Sequence, residues 1–282
     1  MCGGPAVRYR GRTLESGGNP QRDDGAWILD PPGMLFVYEQ GAFPMDTRDE
    51  DGRFRVAAYR ADPRAILDLD AIRLPRTLRR TLRRHGYRLS VDEAFGEVVE
   101  QCAQRPGLGP GEVWLTPRLA AAYRALHRWG HARSFEVWDG EELVGGTFGV
   151  AVGRSHTLES MFHRAPDAGS AAVLQAAVRL REAGYRLLDV QQRTPHTARL
   201  GVRELPEDEF LERLRGALLA GLRPAAVRRT AGPSDGAQLV AAIDRIIEAR
   251  GRSSRSLASV RRSSAARTAT RGRVPDRAAG TR

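Results

Sequence analysis

The chain contains no lysine; all 45 basic residues among its 282 are arginine. Such uniformity reads as a genome-wide coding bias. Arginine abundance is therefore weak evidence for phosphate binding, and placement has to carry that argument. Cysteine is nearly absent too. Cys2 and Cys102 offer neither a disulfide framework nor the paired spacing of a zinc site, so a reducing, cytoplasmic setting is expected. The histidines (His85, His127, His131, His156, His163 and His196) form no HExxH or Cys/His arrangement, and no metal is predicted. There is no apolar run of 18 residues or more, which predicts no membrane span. The first residues carry no apolar stretch of the secretory kind. Aromatics make up only 6%, yet the apolar fraction of 41% is enough for a core.

What charge there is lies unevenly. The net charge is +11, and residues 250–282 hold ten arginines against the single acid Asp276. The body is therefore close to neutral. That basic, Ser- and Ala-rich tail reads as disordered, either adding salt-sensitive affinity for RNA or inert. Ahead of it, residues 226–249 read as a linker and short helix. Residues 1–26 read as a flexible lead, and 27–90 and 91–225 as the two segments of the body.

Within those units the pattern predicts strands FRVAAY and AILDL around the turn ADPR. PRTLRRTLRR follows as a helix opened by a proline. VDEAFGEVVEQCAQR is a helix with Asp92 as N-cap, and RPGLGPGE is a loop. Thr116 caps the helix PRLAAAYRALHRWG, which stops at Gly130. Strands RSFEVW and LVGGTFGVAV are joined through Asp139–Gly140, with SHTLESMF as a third. A helix ending at Gly184, a strand YRLLDVQ and a last helix EDEFLERLRGALLAGL complete the body. The order helix, three strands, helix, strand, helix suits an α+β fold with an N-acetyltransferase-like (acyl-CoA N-acyltransferase type) C-terminal domain.

Three polar residues interrupt apolar strands: Glu159, Asp189 and Gln191. Burying them costs free energy unless each is paired or used. Asp189 and Gln191 are two apart, so they share a sheet face by alternation, as do Glu159 and Met161. The bland alternatives are a strand-end carboxylate bonding local backbone and a Glu159–Arg164 salt bridge. On PRTLRRTLRR, Arg76, Arg80, Arg83 and Arg84 fall on one helical face, which suits phosphate tracking or plain solvation.

The ordered set YEQGAFP (Tyr38–Pro44), DEAF, WLT, AYRALHRWGHARSFEVW, LVGGTFGVAVG, ESMFHR, DVQ and HTARLGVRELP covers roughly residues 27–220. It resembles the leucyl/phenylalanyl-tRNA–protein transferases. The resemblance implies transfer of Leu or Phe from aminoacyl-tRNA to the N-terminal Arg or Lys of a protein, marking that protein for degradation. It implies no acetyl-CoA, metal or organic cofactor, and the Gly-rich phosphate loop of acetyltransferases is missing here. The resemblance also implies a small α+β domain (27–90) ahead of a catalytic domain (91–225), in which Gln191 lies near the attacking amine with Asp189 orienting or polarising it. It assigns Glu159 to amino-acid recognition, and a carboxylate there suits an ammonium on either the aminoacyl group or the incoming N-terminus. Thr147, Met161, Val173 and Leu188 wall the aminoacyl pocket, or are ordinary core. Tyr38 and Trp114 are candidates to stack on the terminal adenosine, and Arg76, Arg80, Arg83 and Arg84 to contact the acceptor stem. The chain departs from the family pattern at Met45, where tryptophan is usual, and at Thr194, Arg199 and Glu207. Those departures predict altered adenosine binding and keep two alternatives open: a related acyl- or aminoacyltransferase with another donor or amine, and a tRNA-binding protein with a decayed site. A monomer is expected.

Overall fold

A computed structural model describes residues 8–11, 26–48, 54–104, 114–221, 226–227 and 232–252. Most of the N-terminal lead, the RPGLGPGE loop and the tail beyond residue 252 lie outside these.

Two sheets organise the chain. The smaller one has the order β1-β3-β2, built from β1 (Arg8–Gly11), β3 (Phe54–Asp62) and β2 (Phe43–Arg48). Arg8–Gly11 therefore form an edge strand inside the segment expected to be a flexible lead. A 3-10 turn (Ala26–Leu29) and α1 (Pro31–Glu39) cover this sheet, with Ile28, Val37, Ala42, Val56 and Ala58 as its own small core.

The larger sheet has seven strands in the order β10-β4-β9-β8-β7-β6-β5. They are β10 (Val202–Leu205), β4 (Arg64–Leu67), β9 (Leu187–Gln191), β8 (Ser155–His163), β7 (Glu142–Val152), β6 (Ala132–Asp139) and β5 (Arg88–Val91). Only β8 and β9 run parallel. β4 and β5, which fall in the expected N-terminal domain, are members of this sheet, so the 27–90 and 91–225 segments share it. Neither β5 nor β10 was foreseen from the sequence.

One face of the large sheet is covered by α5 (Ala168–Glu182), α2 (Arg76–His85) and a helix over residues 236–252, here α8. Helix α8 begins inside the 226–249 segment read as a linker and short helix and follows α7 (Glu207–Leu219). The other face carries α3 (Phe95–Ala103), α4 (Pro117–Arg128) and α1, while α7 packs beside β8 and β9. Small residues let α5 sit close. Ala168, Ala171, Ala172, Ala176 and Ala177 are all buried, and a Cβ on Gly145 of β7 would lie 2.7 Å from that of Ala168.

The capping signals hold in part. The Thr116 side chain accepts from Leu119 N at 3.4 Å, with Pro117 at the first helical position. Gly130 and Gly184 take positive φ just past α4 and α5. Asp92 does not cap α3, whose N-cap is Ala94. Asp92 itself sits at φ 59, and its carboxylate is held by Arg133 at 2.6 Å and Ser134 N at 3.0 Å. A short tertiary bond to the next strand wins over the local cap.

Candidate active site

The parallel ladder between β8 and β9 is short, running from Ser155–Leu187 to Thr157–Asp189. Beyond it the strands part. β8 continues against β7 as far as His163, while β9 turns to pair with β4. Both strands also slip register where they diverge. β7 pairs Phe148 with Ser160 and Gly149 with Leu158, leaving Glu159 as the extra residue of a bulge. β4 pairs Ala65 with Gln191 and Ile66 with Asp189, leaving out Val190. Bulges re-aim side chains at the cost of ladder bonds. Gly149 allows the first one, since a Cβ there would meet Thr157 O at 2.1 Å.

The re-aimed groups converge. Gln191 Nε2 donates to Glu159 Oε2 at 3.0 Å, and Tyr123 on α4 donates its hydroxyl to the same oxygen at 3.1 Å. The Tyr38 hydroxyl on α1 lies 3.1 Å from that of Tyr123. Glu159 as a residue is half-buried, but its Oε1 is shut off from solvent and accepts no bond from the described residues. The neighbouring Ser160 Oγ is likewise buried and unpartnered. Burial pushes the Glu159 carboxyl up to about 7; Tyr38, Gln191 and Tyr123 hold it down, and the nearby Asp189 charge works with burial. Burial, aided by Glu159, raises both tyrosines well above the usual phenol value, so they remain donors.

Asp189 lies behind this pair, fully buried. Arg64 grips it with Nε to Oδ1 at 2.9 Å and Nη2 to Oδ2 at 2.5 Å, and Thr157 Oγ1 donates to Oδ2 at 3.1 Å. Asp189 Oδ1 also accepts the backbone N–H of Gln191 at 2.8 Å. Gln191 has φ 61, a left-handed conformation that costs a non-glycine residue about 1–2 kcal/mol. Asp189 thus accepts four hydrogen bonds, two from Arg64, one from Thr157 and one from the Gln191 backbone.

Glu159 and Met161 do not share a face as alternation predicts. Glu159 meets Tyr123, a member of the α4-side cluster, whereas Met161 packs against the α5-side core. The bulge between them is the reason. Arg164 donates to Gln101 at 2.7 Å and leaves Glu159 alone. Val173 on α5 and Thr147 and Leu188 on the sheet are buried, with Met161 half-buried against the α5-side core.

The adenosine candidates divide. Met45 and Trp114 are half-buried on the α4-side cluster, whereas Tyr38 is 2% exposed. Tyr38 therefore presents no open ring face for stacking and contributes its hydroxyl instead. Arg76, Arg80, Arg83 and Arg84 are exposed around a shallow concavity on α2, while Arg79 turns inward to Asp244 of α8. Thr194, one of the departures, acts locally, forming a capping box with Thr197 at the four-residue helix α6 (Pro195–Ala198). Among the described residues no group of three His, Cys, Asp or Glu is placed to hold a metal, and no helix is long and apolar enough to cross a membrane.

The leucyl/phenylalanyl-tRNA protein transferase family matches residues 66–215, which includes Glu159, Asp189 and Gln191. Proteins named leucyl/phenylalanyl-tRNA–protein transferase from Anaeromyxobacter sp. (strain K) and Rubrobacter xylanophilus are similar to it. The first is 45% identical over 190 residues, 67% of this chain and 80% of that one; the second is 43% identical over 191 residues, 67% and 95%. The chain belongs to this family. One from Nitratidesulfovibrio vulgaris is 43% identical over 67% of this chain and 79% of its own. Among solved structures, L-PGS from Bacillus licheniformis aligns over 66% of this family member and 65% of that chain. Its TM-score of 0.35 and 13% identity are too weak to assign a fold.

Sequence reasoning missed Arg64 and Tyr123 at this site. Arg64 lay inside a turn signal and Tyr123 inside an amphipathic helix. A signal existed only for Tyr123, in a tyrosine placed on a helix's apolar face.

Proposed function

We propose that this protein transfers Leu or Phe from aminoacyl-tRNA to the N-terminal Arg or Lys of acceptor proteins, marking them for degradation. The observation that carries the reading is the Glu159–Gln191 pair, set where β8 and β9 part. That opening, in a mixed sheet with one parallel pair, also supports an N-acetyltransferase-like catalytic fold.

The reaction is aminolysis of an already activated ester, so positioning supplies much of the rate. The acceptor's α-amine must lose a proton, attack the carbonyl and expel the terminal ribose oxygen. Glu159 Oε1 is a buried acceptor that takes no hydrogen bond from the described residues, which suits an ammonium. A carboxyl near 7 lets the same group take that ammonium's proton at neutral pH. The Gln191 amide, a poor base, holds Glu159 and can donate to the oxyanion. Thr147, Met161, Val173 and Leu188 would bound the donor side chain, Trp114 and Met45 would flank the adenosine, and Arg76, Arg80, Arg83 and Arg84 would track acceptor-stem phosphates. The donor is aminoacyl-tRNA, and no metal or organic cofactor is invoked.

The test is a transfer assay with labelled Leu-tRNA or Phe-tRNA, using one peptide that starts with Arg and one that starts with acetyl-Arg. Label on the free-amine peptide alone is the expected result. Retained tRNA binding with no transfer of either amino acid would sink the reading and favour the decayed-site alternative, against which the intact Glu159–Gln191 geometry speaks.

A further inference from the structure

Arg64 is the least expected residue near the site. It is 1% exposed, and arginine is almost never that buried unless paired. Its guanidinium lies between the rings of Phe43 on β2 and Phe210 on α7, 4.8 Å from each centroid. Its fork is spent on Asp189, and the remaining nitrogen, Nη1, is buried with no hydrogen-bond partner among the described residues. Buried ion pairs can often be replaced by apolar residues without loss of stability. A fold that keeps this one, with a donor unmet, calls for a reason beyond stability.

Two features supply it. Asp189 pins the left-handed Gln191 through its backbone N–H, and the Gln191 amide meets Glu159. The chain from Arg64 to Asp189 to Gln191 therefore sets where the amide sits. Asp189 is also a buried negative charge close to the Glu159 carboxylate. Glu159 is faced by Tyr38 from α1, Tyr123 from α4, and Gln191 with Asp189 from β9, while Asp46 of β2 acts on Tyr123. Among the described residues its hydrogen-bond partners are neutral, and the cation bound to Asp189 is Arg64, as Arg118 is to Asp46.

We propose that Arg64 is a positioning residue for the transfer reaction: it holds Asp189 in the orientation that pins Gln191, and its guanidinium offsets part of the Asp189 charge beside Glu159. It touches no substrate. The proposal rests on the roles given above to Glu159 and Gln191.

The experiment measures kcat, and KM for aminoacyl-tRNA, across pH 5.5 to 9 for the parent and three variants. Arg64→Lys keeps the charge and loses the two-point grip; kcat falls about tenfold with KM unchanged. Arg64→Gln removes the cation, and the acidic limb of kcat/KM moves up by about one pH unit. Asp189→Asn moves that limb down. Parental kcat in Arg64→Lys, or an acidic limb that stays put in both charge variants, overturns the proposal. Should Arg64→Gln fail to fold, Arg64→Gln/Asp189→Asn leaves no unpaired charge at this pair, and parental kcat there overturns it equally. Failure of the underlying reading looks different: Glu159→Gln and Gln191→Ala would then keep the parental rate.

Discussion

Glu159 carries the pH dependence of the site. Its folded carboxyl is raised to about 7 from an ordinary value of 4.5. The stability contributed by its protonated form is complete below the unfolded value and lost as pH climbs through 7. The loss is on the order of 3 kcal/mol. Glu159→Gln, which has no charge to bury, should therefore melt higher than the parent at pH 8 and close to it at pH 4.5; equal melting at both would show that the carboxylate is solvated. The same variant should lower kcat/KM by about 100-fold and flatten its fall below pH 7. Gln191→Ala should reduce kcat at least ten times more than it weakens tRNA binding, measured by turnover beside filter binding. Glu159, Asp189 and Gln191 were legible because polar groups in apolar strands stand out. Arg64 was not. Its partner is 125 residues away, and a sequence window sees only the turn around Pro63.

At the scale of elements, the bulges and the α2–α8 contact matter most. Strand periodicity located β8 correctly but put Glu159 and Met161 on one face. Nothing local in TLESMF announces an extra residue; the bulge is decided by Gly149 on the neighbouring strand. α8 meets α2 so closely that a Cβ on Gly236 would lie 2.3 Å from Leu82 O, and residues 234–236 bond the edge strand β5 through Leu89 N and Tyr87 O. Gly236→Ala should lower stability by about 1–3 kcal/mol, read from denaturant unfolding; an unchanged midpoint would mean that α8 is not tightly seated. With Arg79 turned inward, the outward set on α2 is the one available to phosphate. Arg80→Ala/Arg84→Ala should reduce the slope of log Kd against log salt by about 2 for tRNA, with kcat at saturation preserved. An unaltered slope would leave these arginines as a solvated face.

Across the whole molecule, the small sheet is bolted to the large one at the site. Asp46 on β2 is buried and accepts from Thr116 and Arg118 at the start of α4, and Tyr38 on α1 meets Tyr123 midway along the same helix. Helix α4 thus connects the flank carrying Met45 and Trp114 to the groups around Glu159. Asp46→Ala should cost about 2 kcal/mol, less than a fully enclosed pair because Arg118 is partly exposed. It should also raise KM for aminoacyl-tRNA more than it lowers kcat. A kcat effect alone would argue that this joint does not shape donor binding.

The amino-acid order by itself determined the class of elements, their succession from α4 to β9, the caps at Thr116 and Gly184, and the three polar residues set in apolar strands. Hydrophobic period and turn chemistry act within a few residues, so a sequence displays them directly. Tertiary structure alone decided which strands are neighbours, that β4 and β5 join the large sheet, that β8 and β9 part after Asp189, and that Arg64 pairs with that aspartate. Those outcomes depend on side chains far apart in the chain competing for the same buried volume and the same charge, and no local pattern records who wins.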